Sequence, residues 1–403
     1  MRGNGRGQSA LIPHGGTPGY QCVRSLGKRG INTVLGVDGT STSEATSRYC
    51  GETVPLEFTR EDFTAYKEAL LELAARPDVR TILPVWEETV FALSRYYQEF
   101  ADHVDLAVPD FERLRNVHDR VRLVEAAERA GVPVPETKLL TDVEEWDRKL
   151  LVKSRYNLLA SEYVDSYPPN RTGTADLVEH LREGEKPDVD RLVAEMDHVP
   201  IVQEFVPWTD EYMVGAICEH GEPLATIQLH QVREDSYTGG GGVYRRSIYD
   251  PELDDVVCDL LAELDWHGLA CVEYMEDAET GEFKLTEINP RIWQSIGPTV
   301  RAGIDFPYYY WLLAVGRPDL IDPDYETGVG SHLLKGEVAH LKSIRNDDSP
   351  YVERPNLYAA MGDVALSCLR EPRFDMLRFD DPGPFVHGVQ SGLRRRIESR
   401  RAE

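Results

Sequence analysis

The stretch Gly268–Ser295, GLACVEYM followed by EDAETGE and FKLTEINPRIWQS, decides the fold. Its first and third pieces have strand composition, and the acidic, glycine-containing segment between them favours a hairpin. A hairpin centred near Thr280 sets Met275 opposite Leu285 and Glu273 opposite Glu287. Carboxylates facing each other across a ladder lie about 5 Å apart and repel, a penalty that a cation reverses. Asn289, two residues beyond Glu287, points to the same face of its strand. Two carboxylates and an amide oxygen, with no Cys or His among them, suit Mg²⁺ or Mn²⁺ better than zinc. Because Mg²⁺ usually completes its shell with water and substrate phosphates, the pattern predicts a nucleotide half-site. A surface hairpin of solvated acids is the competing reading.

Working outward, 403 residues suffice for two or three domains with substantial cores. The formal charge of −26 is spread along the whole chain, and nine lysines serve it against a much larger number of arginines. Such self-repulsion is screened by high salt and maintains solubility, so the composition resembles that of a halophile, and the net field argues against a nucleic-acid partner. Neither end carries a signal, anchor or spanning segment, which predicts a cytoplasmic protein without a membrane partner. Six dispersed cysteines with no C-x-x-C pair read as reduced.

Residues 9–37 read as strand, Gly-rich turn, helix and strand, a βαβ unit that predicts a parallel sheet. Gly15, Gly16 and Gly19 lack the dinucleotide spacing, so a nicotinamide site is weakly supported. A helix is expected at about 60–75, a buried strand at VRTILPV, and a further helix to about Phe100. Asp110–Ala130 reads as a charged helix or helix pair ending at Gly131, with VPVPET extended after it. A helix is expected at Thr174–Arg182. The run Gly239–Gly242 is too costly to order inside an ordinary strand; its amides could surround a phosphate, with Arg233, Arg245 or Arg246 neutralising charge.

An acidic residue on one strand followed by E-I-N-P-R on the next resembles the magnesium signature of the ATP-grasp superfamily. The resemblance covers residues 110–315 and implies an α/β and α+β architecture. A Rossmann-like pre-ATP-grasp domain would occupy 1–108, a linker helix and lid lobe 109–207, a metal-binding lobe 208–325 and an α+β extension 326–403. It implies that Glu273, Glu287 and Asn289 hold Mg²⁺ or Mn²⁺ against ATP, and that Arg291 steadies an intermediate, with Arg233 and Arg245 as further catalytic cations. Arg120, standing where the family usually has lysine, and Lys153 would contact phosphate. Gln203, Glu204, Phe205 and Val206 resemble the adenine hinge, Glu211 the ribose acceptor, and Gly240 and Gly241 the loop over the phosphates.

The resemblance further implies a carboxylate–amine ligase, loosely D-aspartate-ligase-like, that forms an amide through an acyl phosphate. Its partners would be a small carboxylate and an amine, and a homodimer is the default assembly. Glu87 and Glu88 are expected to face the cleft and attract an ammonium group, and His230 and His267 are candidate bases by residue type. The alternatives are a carboxylase or phosphoryl-transfer enzyme that makes no amide, and a catalytically reduced ATP-binding regulator.

Overall fold

The computed structural model describes residues 7–39, 42–349 and 352–402. The first unit alternates β1 (Ser9–Ile12), α1 (Gly16–Lys28), β2 (Asn32–Val37), β3 (Glu52–Pro55), α2 (Phe63–Ala74), β4 (Val79–Ile82), α3 (Glu87–Arg95) and α4 (Tyr97–Ala101). Its strands form a parallel sheet in the order β3-β2-β1-β4. Leu11 and Ile12 are buried completely, as a parallel strand covered on both faces requires. The chain leaves β4 through Pro84 and Trp86 and starts α3 at Glu87, so that carboxylate sits in the first turn of a helix beyond the carboxyl end of a parallel strand. Parallel α/β sheets present their ligand-binding groups at this edge.

The charged segment after it is a helix pair, α5 (Phe111–His118) and α6 (Arg120–Ala130). Asp119 breaks the run: its backbone is extended, its carboxylate accepts from the Val121 amide to cap α6, and Arg155 grips the same carboxylate at 2.9 and 2.7 Å. Gly131, with φ of 73°, closes α6 in the left-handed conformation that favours glycine.

A small lobe follows, built from β5 (Thr137–Leu139), β6 (Leu150–Lys153), β7 (Val178–Leu181), α7 (Val189–Met196) and β8 (Ile201–Glu204). Its antiparallel sheet runs β5-β8-β6-β7. Leu140, Leu150, Val152, Leu181, Leu192 and Met196 give it a core of its own, separate from the main one. The helix expected at Thr174–Arg182 is not formed; Val178–Leu181 instead pairs along β6, with Lys153 opposite Val178. The free edge of β6 offers backbone partners over the whole segment, and this nonlocal gain overrides a local preference.

The large lobe comprises β9 (Trp208–Glu219), β10 (Glu222–Glu234), β11 (Gly242–Ile248), α8 (Pro251–Glu263), β12 (Gly268–Asp277), β13 (Phe283–Asn289), α9 (Ile296–Ala302), α10 (Phe306–Ala314) and β14 (Gly330–His332). These strands make a six-stranded sheet, β13-β12-β9-β10-β11-β14. β14 therefore joins the residues beyond 326 to the same sheet as the β12–β13 hairpin. The chain ends with α11 (Leu334–Asn346), α12 (Leu357–Arg370) and α13 (Gly383–Ala402). No described helix is long and apolar enough to cross a membrane.

The decisive hairpin forms, and Glu273 faces Glu287 as expected. Met275 does not face Leu285: it pairs with Lys284, while Tyr274 pairs with Leu285. A bulge leaves Thr286 as the extra residue, its hydroxyl donating to the Glu273 carbonyl at 2.9 Å. Counting from the turn could not detect this insertion.

Close packing under the sheet leaves no room for a side chain at Gly215. A Cβ at Gly215 of β9 would lie 2.4 Å from Trp293 Cζ2 and 2.9 Å from Phe306 Cε2. Both rings are buried, so neither can withdraw into solvent. Gly215→Ala is expected to cost about 1–3 kcal/mol, read as a lower urea midpoint at unchanged slope. Trp293 lies two residues from Arg291, so activity should fall with it.

Candidate active site

Glu273, Glu287 and Asn289 converge on one face of the β12–β13 hairpin. Asn289 Nδ2 donates to Glu287 Oε1 at 2.9 Å and to Glu273 Oε1 at 3.4 Å. Glu211 on β9 belongs to the same face, since Glu273 pairs with Met213 and Met275 with Glu211. Glu211 in turn shares a hydrogen bond with Glu234 at the end of β10. Burial, then the neighbouring Glu287 and Glu211, pushes Glu273 up to about 8. Burial followed by Glu211 pushes Glu234 up to about 9, and burial also raises Glu211. Four carboxylates thus share a site with too little positive charge. Hard oxygen donors held against their own repulsion fit a divalent Mg²⁺ or Mn²⁺.

The cations stand on one flank. Arg120 is the first residue of α6, placed there by the Asp119 cap; its Nη1 donates to the Ser154 carbonyl at 2.9 Å and its Nη2 to Glu287 Oε2 at 3.4 Å. Lys153 ends β6 in the small lobe. Burial, followed by repulsion from Arg120, lowers it to about 7 against the opposing pull of Glu287. Arg120 and Lys153, singled out in the sequence, are therefore brought together with Glu287 from the linker, the small lobe and the large sheet.

Arg291 is held by a chain of part-buried contacts. Its Nη2 donates to Asn289 Oδ1 at 3.0 Å and its Nε to Glu87 Oε2 at 2.8 Å. Glu87 Oε1 meets His118 Nε2 at 2.9 Å, and His118 Nδ1 meets the Tyr163 hydroxyl at 2.8 Å. Burial works to raise the Glu87 carboxyl, but His118 and Arg291 outweigh it and hold Glu87 below its ordinary range. Glu87 is thus committed to the site's own arginine, and the expectation that it attracts a substrate ammonium is corrected. Glu88 pairs with Arg60 at 2.9 Å. Neither His118 nor Tyr163 carried a sequence signal, because each lies in an ordinary helix or loop context and acquires its role only by packing.

Other expected residues are differently placed. Arg233 donates to Glu337 at 2.7 Å and reaches the Ser367 hydroxyl, while Arg245 is buried against Asp375 and the Gly242 carbonyl. Both bind the C-terminal segments to the large sheet, which corrects their assignment as catalytic cations. The Gly-rich turn is anchored from outside by Tyr237, whose amide donates to Ser343 Oγ at 3.0 Å. Gly239 and Gly240 have φ of 114° and 137°, and a Cβ at Gly239 would lie 3.6 Å from Glu234 Oε2, so the turn carrying Gly240 and Gly241 abuts the carboxylate group. Glu234, overlooked in the sequence, had one available signal: an acid at a strand end directly before a run of glycines.

At the hinge, Gln203 donates to Thr137 Oγ1 at 2.9 Å. The Glu204 amide donates to the Glu136 carbonyl at 2.9 Å, and its carboxylate accepts from Lys284 of β13 at 3.3 Å, joining the two lobes. Phe205 packs edge-on against Trp208, and Val206 is buried. His230 pairs with Asp210 at 2.6 Å on the opposite face of β9 and β10 from Glu211. His267 stacks on His220 at the far end of the sheet, near the β9–β10 turn.

The raised carboxyls imply a pH dependence for metal-free protein. Between about pH 4.5 and 8 the folded state keeps protons that the unfolded chain has released, so stability falls as pH rises. Lys153 acts oppositely from about pH 7, where the folded state has lost a proton that the unfolded chain retains. Urea unfolding in EDTA should therefore show the steepest loss between pH 5 and 7, approaching about 1.4 kcal/mol per pH unit for each retained proton. Mg²⁺ should flatten the profile by binding the deprotonated carboxylates.

No protein-family model matches the chain, and no curated protein matches it in sequence. Solved structures do. The biotin carboxylase domain of Hydrogenobacter thermophilus 2-oxoglutarate carboxylase, solved with Mg-ADP and bicarbonate, aligns over 80% of this chain and 73% of its own at 15% identity and a TM-score of 0.62. Biotin carboxylase from Campylobacter jejuni aligns over 77% and 71% at 13% identity and 0.59. N5-carboxyaminoimidazole ribonucleotide synthetase from Thermotoga maritima aligns over 80% and 78% at 16% identity and 0.54. The fold is accordingly the ATP-grasp fold in a biotin-carboxylase-like arrangement. The expectation of an amide-forming, C–N bond-forming ligase acting on an amine is overturned: these relatives are named for carboxylation, and the acid expected to hold an amine is spent on Arg291.

Proposed function

We propose that this protein is an ATP-grasp enzyme that uses Mg-ATP to phosphorylate a small carboxylate, bicarbonate foremost, and so drives a carboxylation without forming an amide. The observation that carries the proposal is the facing Glu273–Glu287 pair with Asn289, flanked by Arg120, Lys153 and Arg291. Glu273, Glu287 and Asn289 would hold the divalent ion, which when bound neutralises phosphate charge. Lys153, kept near neutrality by burial and Arg120, regains full charge beside an arriving phosphate and so couples nucleotide binding to proton uptake. Arg291, fixed by Glu87 and Asn289, presents its guanidinium to the carboxylate undergoing phosphorylation. The small lobe, with its separate core, can close over the site as a body and exclude water from a hydrolysable acyl phosphate.

The four-part division at 108, 207 and 325, a cytoplasmic location in a salt-rich cell and a homodimeric assembly are parts of the same proposal. Its test is ADP release by the purified protein in molar KCl, with bicarbonate present and all amines omitted. Bicarbonate-dependent release supports the reading. Release that requires an amine, or no binding of Mg-ATP by calorimetry, refutes it.

A further inference from the structure

Away from the carboxylate cluster, the second half of α1, the C-terminal end of α9 and the segment carrying Arg378 enclose a cavity of about 460 Å³. Arg24, Lys28, Arg29, Arg301 and Arg378 line it, with Asp305 as the acid among them. So dense a group of cations is unexpected in a chain of net charge −26. Arg29 pairs with Asp305 at 2.6 Å, Arg24 with Asp380 at 2.6 Å, and Lys28 reaches Asp380 only at 4.0 Å. Among the described residues, Arg301 and Arg378 form no ion pair: Arg301 Nη2 donates to the Phe374 carbonyl at 2.5 Å and Arg378 Nε to the Asp375 carbonyl at 3.4 Å. Asp375 itself is taken by Arg245.

On the arginines of this cavity, two buried donors, Arg301 Nε and Arg24 Nη1, have no hydrogen-bond partner among the described residues. Arg24 is 8% exposed, and its Nη1 lies 4.0 Å from Asp381 Oδ2, beyond hydrogen-bond reach. Burial, followed by repulsion from Arg378 on Arg301 and from Arg24 on Arg378, holds both Arg301 and Arg378 below the ordinary arginine range. Leaving guanidinium groups desolvated and unpaired is costly, and an anion in their midst removes the cost. Against five cations stand Asp305, Asp380 and Asp381, an excess of two charges that a dianion neutralises and a single carboxylate does not. Planar guanidinium forks match phosphate oxygens in geometry as well as charge.

We infer that this cavity binds the phosphate of a small phosphate monoester, at a site separate from the Glu273–Glu287 cleft. The inference does not depend on carboxylation, because none of these side chains belongs to that cleft. It is tested by calorimetry and thermal melting in about 0.15 M KCl without nucleotide, using glycerol 3-phosphate, inorganic phosphate and succinate at up to about 10 mM. The expected result is millimolar or tighter binding of glycerol 3-phosphate, with a raised melting temperature. Lys28→Gln, at an exposed position, and Arg301→Gln should each weaken it at least about tenfold, while Lys28→Gln binds Mg-ATP as the wild type does. Equal binding of inorganic phosphate supports the site and identifies the free ion as a ligand. Succinate binding as tightly as the monoester, no binding of either phosphate compound, or undiminished binding in both variants overturns it.

Discussion

Glu287→Ala lowers ATP turnover at least about 10³-fold while the protein stays folded. The carboxylate is one of two that face each other at the hairpin, and it is the one that also meets Arg120. In the proposed site, losing it would remove an oxygen donor to the divalent ion and the group that meets Arg120, a loss of about 4 kcal/mol in the transition state. Stability moves the other way or not at all, because Glu273 loses the like charge that helps push its own carboxyl up. Steady-state ADP production and urea unfolding, each with and without Mg²⁺, measure both effects. Turnover within tenfold of the wild type would reject the assigned metal site.

Glu87→Gln separates positioning from binding. The variant keeps the shape of the side chain but removes the charge that Arg291 and His118 share. Breaking such a buried arrangement on one side costs up to about 3 kcal/mol of stability. With Arg291 less tightly held, kcat should fall about 10²-fold, while KM for ATP stays within about twofold. A purely structural Glu87 would lower the unfolding midpoint without changing kcat of the folded fraction. That split is the result that would remove Glu87 from the site.

The shared face of Glu273, Glu287 and Asn289 was legible because it is local. Glu273, Glu287 and Asn289 lie on two strands joined by one turn, and the period of two in a strand puts them on one face regardless of the rest of the chain. The same locality explains why α1, α6 and the βαβ start were foreseeable: each is bounded by its own glycine or capping acid. The failures share the opposite cause. The strand at Val178–Leu181 and the capture of Arg233 and Arg245 by Glu337 and Asp375 depend on partners distant in sequence. The amine-ligase expectation, carried by the family resemblance alone, failed as well, and the Arg291 partner of Glu87, 204 residues away, was invisible in the sequence.

The sequence by itself determined that Glu273, Glu287 and Asn289 share one face of a hairpin, and the acid-rich character of the chain, because side-chain periodicity, turn chemistry and charge act over a few residues or over the whole composition. Only the tertiary structure decided what surrounds the triad. It brought Glu234 against Glu211, set Lys153 and Arg120 beside Glu287, and threaded Tyr163, His118 and Glu87 into a support for Arg291. It also gathered five basic residues from α1, α9 and the C-terminal segment around one cavity. Contacts across tens to hundreds of residues are fixed by which surfaces can be buried together, and no short stretch of sequence encodes that choice.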